Sequence, residues 1–98
     1  MLFAVRFFDK PDQTKIRNHF LQKHIDWLDQ NKDCVLVGGS LRNTPEEPPV
    51  GGLWIVEAES KNAIKVLIES DPFWINGLRE RYEILHWSKA FSNRKVPV

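Results

Sequence analysis

The spacing of hydrophobic residues changes repeatedly along the chain, and each change marks an element. Residues 2 to 8, Leu-Phe-Ala-Val-Arg-Phe-Phe, are rich in aromatic and β-compatible side chains and stop at Asp9, Lys10 and Pro11, which predicts a strand and a turn. From Asp12 to Gln30 the period becomes helical: with Ile16 at 0° and about 100° per residue, Phe20, Leu21, Trp27 and Leu28 fall in one sector. Asn31 to Asp33 end this amphipathic helix. Cys34-Val-Leu-Val37 then predicts a short second strand that breaks at Gly38-Gly39. Residues 41 to 52 carry Asn43, Pro45, Pro48, Pro49, Gly51 and Gly52, a composition that excludes regular structure and predicts an exposed connection. Leu53 to Ala58 reads as a third strand. Ser60 is placed to cap a second helix whose apolar positions are Ala63, Ile64, Leu67 and Ile68. Asp71 can cap a further turn with Pro72 at its first position, where a missing N–H costs nothing. Arg81 to Ser88, with Tyr82, Ile84 and Trp87, predicts the last strand, and no period follows.

The order strand, helix, strand, strand, helix, strand is the βαββαβ pattern of ferredoxin-like α+β folds, an antiparallel sheet with two helices on one face. A sheet covered on one face only should alternate apolar with polar. The first strand instead offers Phe3, Val5 and Phe7 on one side and Leu2, Ala4 and Phe8 on the other, and the third sets Leu53 and Ile55 against Trp54 and Val56. The second apolar face needs a cover that the chain does not supply, so a homodimer packed sheet against sheet is expected.

Composition narrows the function. The chain has 98 residues, 42% hydrophobic and 28% charged, which is one soluble globular domain. A formal charge of +1 leaves no basic field for nucleic acid or an anionic membrane. The longest apolar run, Met1 to Val5, is far too short for a membrane span or a secretory signal, so neither is expected. One cysteine, Cys34, closes no intrachain disulfide and suits the reducing cytoplasm. No zinc spacing and no glycine-rich nucleotide fingerprint occurs; Gly38-Gly39-Ser40 lacks that spacing, so no metal or nicotinamide cofactor is expected.

One histidine stands where an apolar residue belongs. On the helical wheel His24 lies near 80°, inside the sector of Phe20, Trp27 and Leu28, and Arg17 lies near 100° two turns earlier. Burying these groups requires partners. Asp71 is the best candidate, because a carboxylate at a helix break can cap a backbone turn and face a neighbouring helix. A carboxylate that holds one imidazole nitrogen leaves the other free to move a proton. Beside this stand plainer readings: His24 as a satisfied core residue, Arg17 as a rim ion pair, Asp71 as a cap. His19 falls on the solvated face, and His86 lies in a terminal strand with no acidic pattern near it. The four tryptophans, Trp27 among them, can line an aromatic ligand pocket or simply fill a core or an interface. The Gly38-Gly39 bend allows close approach of a ligand or partner backbone, with Ser40 as a polar pocket group, and the Glu46-Glu47 pair reads as solvated.

The residues resemble a known family. Met1-Leu2-Phe3 at the start, His24-Ile-Asp-Trp-Leu28, a glycine pair ending the second strand, Gly52-Leu53, Val56-Glu-Ala-Glu-Ser60, Asp71-Pro72-Phe73 and Ile84-Leu-His-Trp87 are similar to YciI-like (YCII-related) proteins. The likeness places a domain at residues 1–91 and a tail at 92–98. It implies a dimeric α+β barrel of ferredoxin-like subunits, akin to muconolactone-isomerase-like and dehydrochlorinase proteins, with a His and Asp catalytic pair that maps to His24 and Asp71. Arg17 falls where the family often has a basic residue. Two positions depart: Gly39-Ser40 replaces the usual Gly-Pro, and Leu21 replaces the basic residue often found one turn before the histidine. If that charge binds an acidic substrate in relatives, Leu21 implies a less charged ligand here or a lost activity.

Three functions fit these readings. The first is a small cofactor-free enzyme carrying out isomerisation, elimination or hydrolysis on a small organic molecule, with His24 as acid/base, Asp71 as its orienter, and Arg17, Ser40 and Trp27 binding substrate. The second is a noncatalytic ligand-binding or interaction module using the same pocket, and the third a purely structural dimer.

Overall fold

The computed structural model describes residues 1–95 and 98. The elements are β1 (Leu2–Asp9), α1 (Thr14–Gln30), β2 (Val35–Leu41), β3 (Gly51–Glu57), α2 (Lys61–Glu69), the single turn α3 (Pro72–Ile75) and β4 (Arg79–His86). All strand pairs are antiparallel and the sheet order is β2-β3-β1-β4. This is the ferredoxin-like α+β arrangement. The tail expected over residues 92–98 has no helix or strand up to residue 95, and residues 96 and 97 lie outside the described set. Among the described residues no helix is long and apolar enough to cross a membrane.

Local chemistry sets the element ends. Asp12 makes the turn into α1 with φ of 58°, a left-handed conformation that Asp tolerates better than most residues. Ser60 accepts the Ala63 N–H and caps α2, and Asp71 accepts the Phe73 N–H with Pro72 opening α3, as the sequence predicts. Three strands differ from expectation. β3 begins at Gly51, inside the segment read as an exposed connection, because Gly51 and Gly52 pair with Phe8 and Phe7 of β1 and are buried there. β2 does not break at Gly38-Gly39 but runs through both glycines to Leu41, because β3 continues to pair with it, Gly38 against Trp54 and Ser40 against Gly52. β4 begins at Arg79, two residues before the sequence reading, because Arg79 pairs with Asp9 across an irregularity between Phe8 and Asp9.

The register sorts side chains into rows. On the helix side, Gly38, Trp54, Val5 and Ile84 form one row and Ser40, Gly52, Phe7 and Tyr82 the next. Phe3, Val5, Phe7, Trp54 and Val56 are almost fully buried there, against Ile64 and Ile68 of α2 and Trp27 of α1. The burial of these side chains is the main stabilising term of the domain. On the other side, Val37, Ile55, Ala4 and Leu85 form an apolar row across all four strands, and Val37 and Leu85 are exposed.

Candidate active site

His24 enters the site from the middle of α1 and is 7% exposed. Its Nδ1 lies 2.6 Å from Oδ1 of Asp71, which is completely buried and whose Oδ1 also accepts the Phe73 N–H at 3.2 Å. The cap of α3 therefore aims the carboxylate at the imidazole, and Phe73 stacks on that ring with centroids 4.0 Å apart. A carboxylate on Nδ1 keeps the proton there, so Nε2 carries the lone pair. Nε2 makes no hydrogen bond among the described residues and is not sealed from solvent. Oδ2 of Asp71 is buried without a partner, so the carboxylate is held by one oxygen only.

Beside the pair sits a second charged cluster. Asp9, at the end of β1, holds Arg17 of α1 through Oδ2 and Arg79 of β4 through Oδ1, the latter at 2.7 Å. Arg17 is 8% and Arg79 4% exposed, and both guanidinium carbons lie 5.1 Å from the Phe73 ring centre. Burial lowers the pKa of Arg79, and its hydrogen bond to Asp9 works against that shift. The guanidinium stays charged at neutral pH all the same. Imidazole and both guanidiniums thus surround one phenylalanine ring.

A cavity of about 380 Å³ opens between α1 and β2 and is lined by His24, Arg17, Arg79, Ser40, Arg42 and Phe73, with Leu21, Ile25 and Leu28 on its helix wall and the backbone of Gly38 and Gly39 opposite. The structure brings His24, Asp71, Arg17 and Ser40 to this one place. Trp27 lies apart from the cavity lining: it stacks on Trp54 at 5.1 Å and its indole N–H donates to Ser70 Oγ at 3.0 Å. Arg17 takes Asp9 rather than Asp71 as its acid partner. Asp9, Arg42 and Arg79 are site residues that sequence reasoning passed over. Asp9 follows the inward alternation of Phe3, Val5 and Phe7, a signal that was available; Arg79 is turned inward only by the β1/β4 irregularity. Among the described residues no group of three or more His, Cys, Asp or Glu side chains could hold a metal ion.

The arrangement has the parts of acid/base chemistry: an oriented imidazole with one free nitrogen, and two positive groups where negative charge would develop on a ligand oxygen. At 27% identity, the chain is similar in structure to 5-chloro-2-hydroxyhydroquinone dehydrochlorinase from Burkholderia phenoliruptrix AC1100, solved with 2,5-dihydroxybenzoquinone; the TM-score is 0.81 over 90% of this chain and 94% of that one. A Bacteroides thetaiotaomicron protein of the antibiotic biosynthesis monooxygenase type shares the fold, with TM-score 0.57 and 17% identity over 98% of this chain and 94% of that one. Another antibiotic biosynthesis monooxygenase shares it at TM-score 0.51 and 13% identity, over 91% of this chain and 100% of that one. No curated protein sequence matches significantly. The profile of the YCII-related domain matches residues 1–88, nearly the whole chain, and the protein therefore belongs to the YCII-related (YciI-like) family.

Proposed function

We propose that this protein is a cofactor-free acid/base enzyme acting on a small hydroxylated ring compound, by isomerisation or by an elimination of the dehydrochlorination type. The observation that carries this reading is the buried His24–Asp71 pair, with Nε2 unpartnered on a cavity that Arg17 and Arg79 make positive. In the elimination, His24 takes a proton from a ring hydroxyl through Nε2 and returns it to the ring carbon that carries the halogen. A second hydroxyl then loses its proton and becomes a carbonyl as the carbon–halogen pair leaves with the halide. The net loss is one proton and one halide, and no electron acceptor is needed. Arg17 and Arg79 hold the oxygen on which negative charge grows, and Asp71 steadies the transient imidazolium.

The test uses the relative's reaction. Purified protein is given 5-chloro-2-hydroxyhydroquinone and chloride release is followed. Wild type is expected to turn over, and His24→Asn to lose about 10²- to 10⁴-fold in kcat while remaining folded. Ligand binding without turnover in wild type, or an unchanged rate in the variant, refutes the catalytic reading and leaves a binding module.

The same reading includes a homodimer through the outer sheet face and a cytoplasmic location, where Cys34 stays a thiol. Support for the dimer comes from the outer apolar row, in which Val37 and Leu85 are exposed and Ala4 is half-buried beside the buried Ile55. Sedimentation at micromolar concentration is expected to give twice the chain mass of 11.5 kDa; a stable monomer rejects the dimer.

A further inference from the structure

The position of Leu21 implies a weakly charged ligand, but the cavity's own charges say otherwise. Leu21 does line the mouth, yet positive groups arrive from other elements: Arg79 from β4 and Arg42 from the segment after β2. No carboxylate is among the residues lining the cavity. Asp71 lies behind His24 and is matched to it; the pair carries the carboxylate's negative charge while Nε2 is unprotonated and becomes neutral once Nε2 takes a proton from a ligand hydroxyl. Asp9 lies behind Arg17 and Arg79 and supplies one negative charge to two guanidiniums. Its two contacts use one terminal nitrogen of each arginine; Nη1 of Arg17 and Nη2 of Arg79 keep no partner among the described residues and are not closed off by burial. The Arg17–Arg79–Asp9 cluster therefore carries one positive charge, which stands unopposed at the inner end once Nε2 holds that proton.

A second remains at the mouth. Arg42 is exposed and, among the described residues, is held only by long contacts, Nη2 to Ser40 Oγ at 3.3 Å and Nη1 to the Glu47 carbonyl at 3.4 Å. These are weak, neutral acceptors that a ligand oxyanion outcompetes. Ser40 is paired with Gly52, and Arg79 Nη2 lies against Gly52, where a Cβ would approach it to 3.1 Å. Both cationic ends therefore face one small space floored by Gly38 and Gly39 and walled by apolar side chains. Such a space favours a flat ring whose charge sits on its rim.

We propose that this cavity selects a compact ring compound with two acidic oxygen substituents that it binds as oxyanions, one held between Arg17 and Arg79 beside His24, which takes its proton where the free compound still carries one, and the other by Arg42 at the mouth. The inference rests on the reading of this cavity as the substrate site, and it makes Arg42 a specificity-determining residue. A ring with no acidic oxygen cannot neutralise the positive groups at the two ends of the cavity and would leave them facing a desolvated ligand, an arrangement that costs affinity.

The test is a charge ladder read by binding, so that it does not depend on turnover. The probes are 2,5-dihydroxybenzoquinone, whose hydroxyls are vinylogous acids and both ionised at neutral pH, its monomethyl ether with one charge, and its dimethyl ether with none. Calorimetry on wild type is expected to show affinity falling about tenfold with each charge removed. Arg42→Gln, a change at an exposed position, is expected to weaken the dianion about tenfold and the monoanion less than twofold. Equal binding of the three probes overturns the proposal, as does an equal effect of Arg42→Gln on dianion and monoanion, or the failure of all three to bind. A clear ladder with no turnover removes the enzyme reading and leaves this one standing; turnover with a flat ladder does the reverse.

Discussion

Replacing Asp71 with asparagine separates what the carboxylate does for the fold from what it does for chemistry. The substitution keeps the volume of a side chain with no exposed surface and keeps one oxygen able to accept the Phe73 N–H at 3.2 Å. What it removes is charge. In the resting protein the bond to His24 is reduced from a charge-assisted to a neutral one, a loss of about 1 to 2 kcal/mol. Part of that is returned, because the asparagine no longer buries a charged group whose Oδ2 has no partner. Net destabilisation is expected below about 1.5 kcal/mol. In the reacting protein the imidazole becomes a cation whose Nδ1 lies 2.6 Å from the carboxylate oxygen. Charges about 4 Å apart in a medium of effective dielectric about 20 attract by about 4 kcal/mol, and losing that corresponds to about 10³-fold in rate. The assays are urea denaturation for stability and chloride release for kcat. A kcat within threefold of wild type refutes the reasoning, and so does an unfolding penalty above 3 kcal/mol with the rate preserved, since the pair would then serve the fold alone.

Other consequences follow from the same contacts. Gly52→Ala places a Cβ 3.1 Å from both Arg79 Nη2 and the Gly39 carbonyl oxygen, and it is expected to cost about 1 to 3 kcal/mol in thermal or urea unfolding and to weaken binding of the dianion by moving Arg79. Trp27→Phe removes the donor to Ser70 Oγ and part of the stack on Trp54; it is expected to lower stability by about 1 to 2 kcal/mol and leave kcat within twofold, and a large fall in kcat with stability kept would put Trp27 in the site. Leu85→Glu, on the exposed outer row, is expected to convert the dimer to a folded monomer in sedimentation, with unchanged mass refuting the sheet-to-sheet contact.

The fold was legible because period and punctuation agree along most of this chain. Phe3, Val5 and Phe7 alternate inward, Ser60 caps where helical spacing begins, and Asp71-Pro72 opens a turn that could be named before it was seen. His24 was legible as an anomaly, a base inside an apolar stripe, and its acid partner followed from the need to satisfy it. The remainder escaped for physical reasons. Gly38-Gly39 resembles a strand end, since glycine has weak intrinsic preference for extended structure, and only the pairing with β3 keeps the strand going. Arg79 escaped because alternation counted back from Tyr82 puts residue 79 on the outer face. The skipped residue between the Phe8/Arg81 and Asp9/Arg79 pairs inverts that count and carries the arginine inward. Arg42 sits in an aperiodic, proline-rich stretch, where hydrophobic spacing carries no information about direction.

The floor of the cavity sets a limit on how the site can diverge. Gly38 and Gly39 present bare backbone to the ligand, and a single methyl on Gly38 would come within 3.2 Å of Leu28 across the opening. At Gly38 a wall already reduced to main chain cannot be cut back further, so mutation there can only make the chamber smaller, whereas a side chain on Gly39 would point to the other face of the sheet and meet nothing within 4 Å. Room for a bulkier substrate has to come from the helix side, by trimming Leu21, Ile25 or Leu28. Two of these, Leu21 and Ile25, are substantially solvent-exposed and carry little of the core, so they can change at small cost to stability. Relatives that accept larger rings are expected to differ first at those two helix positions, with the glycine floor unchanged.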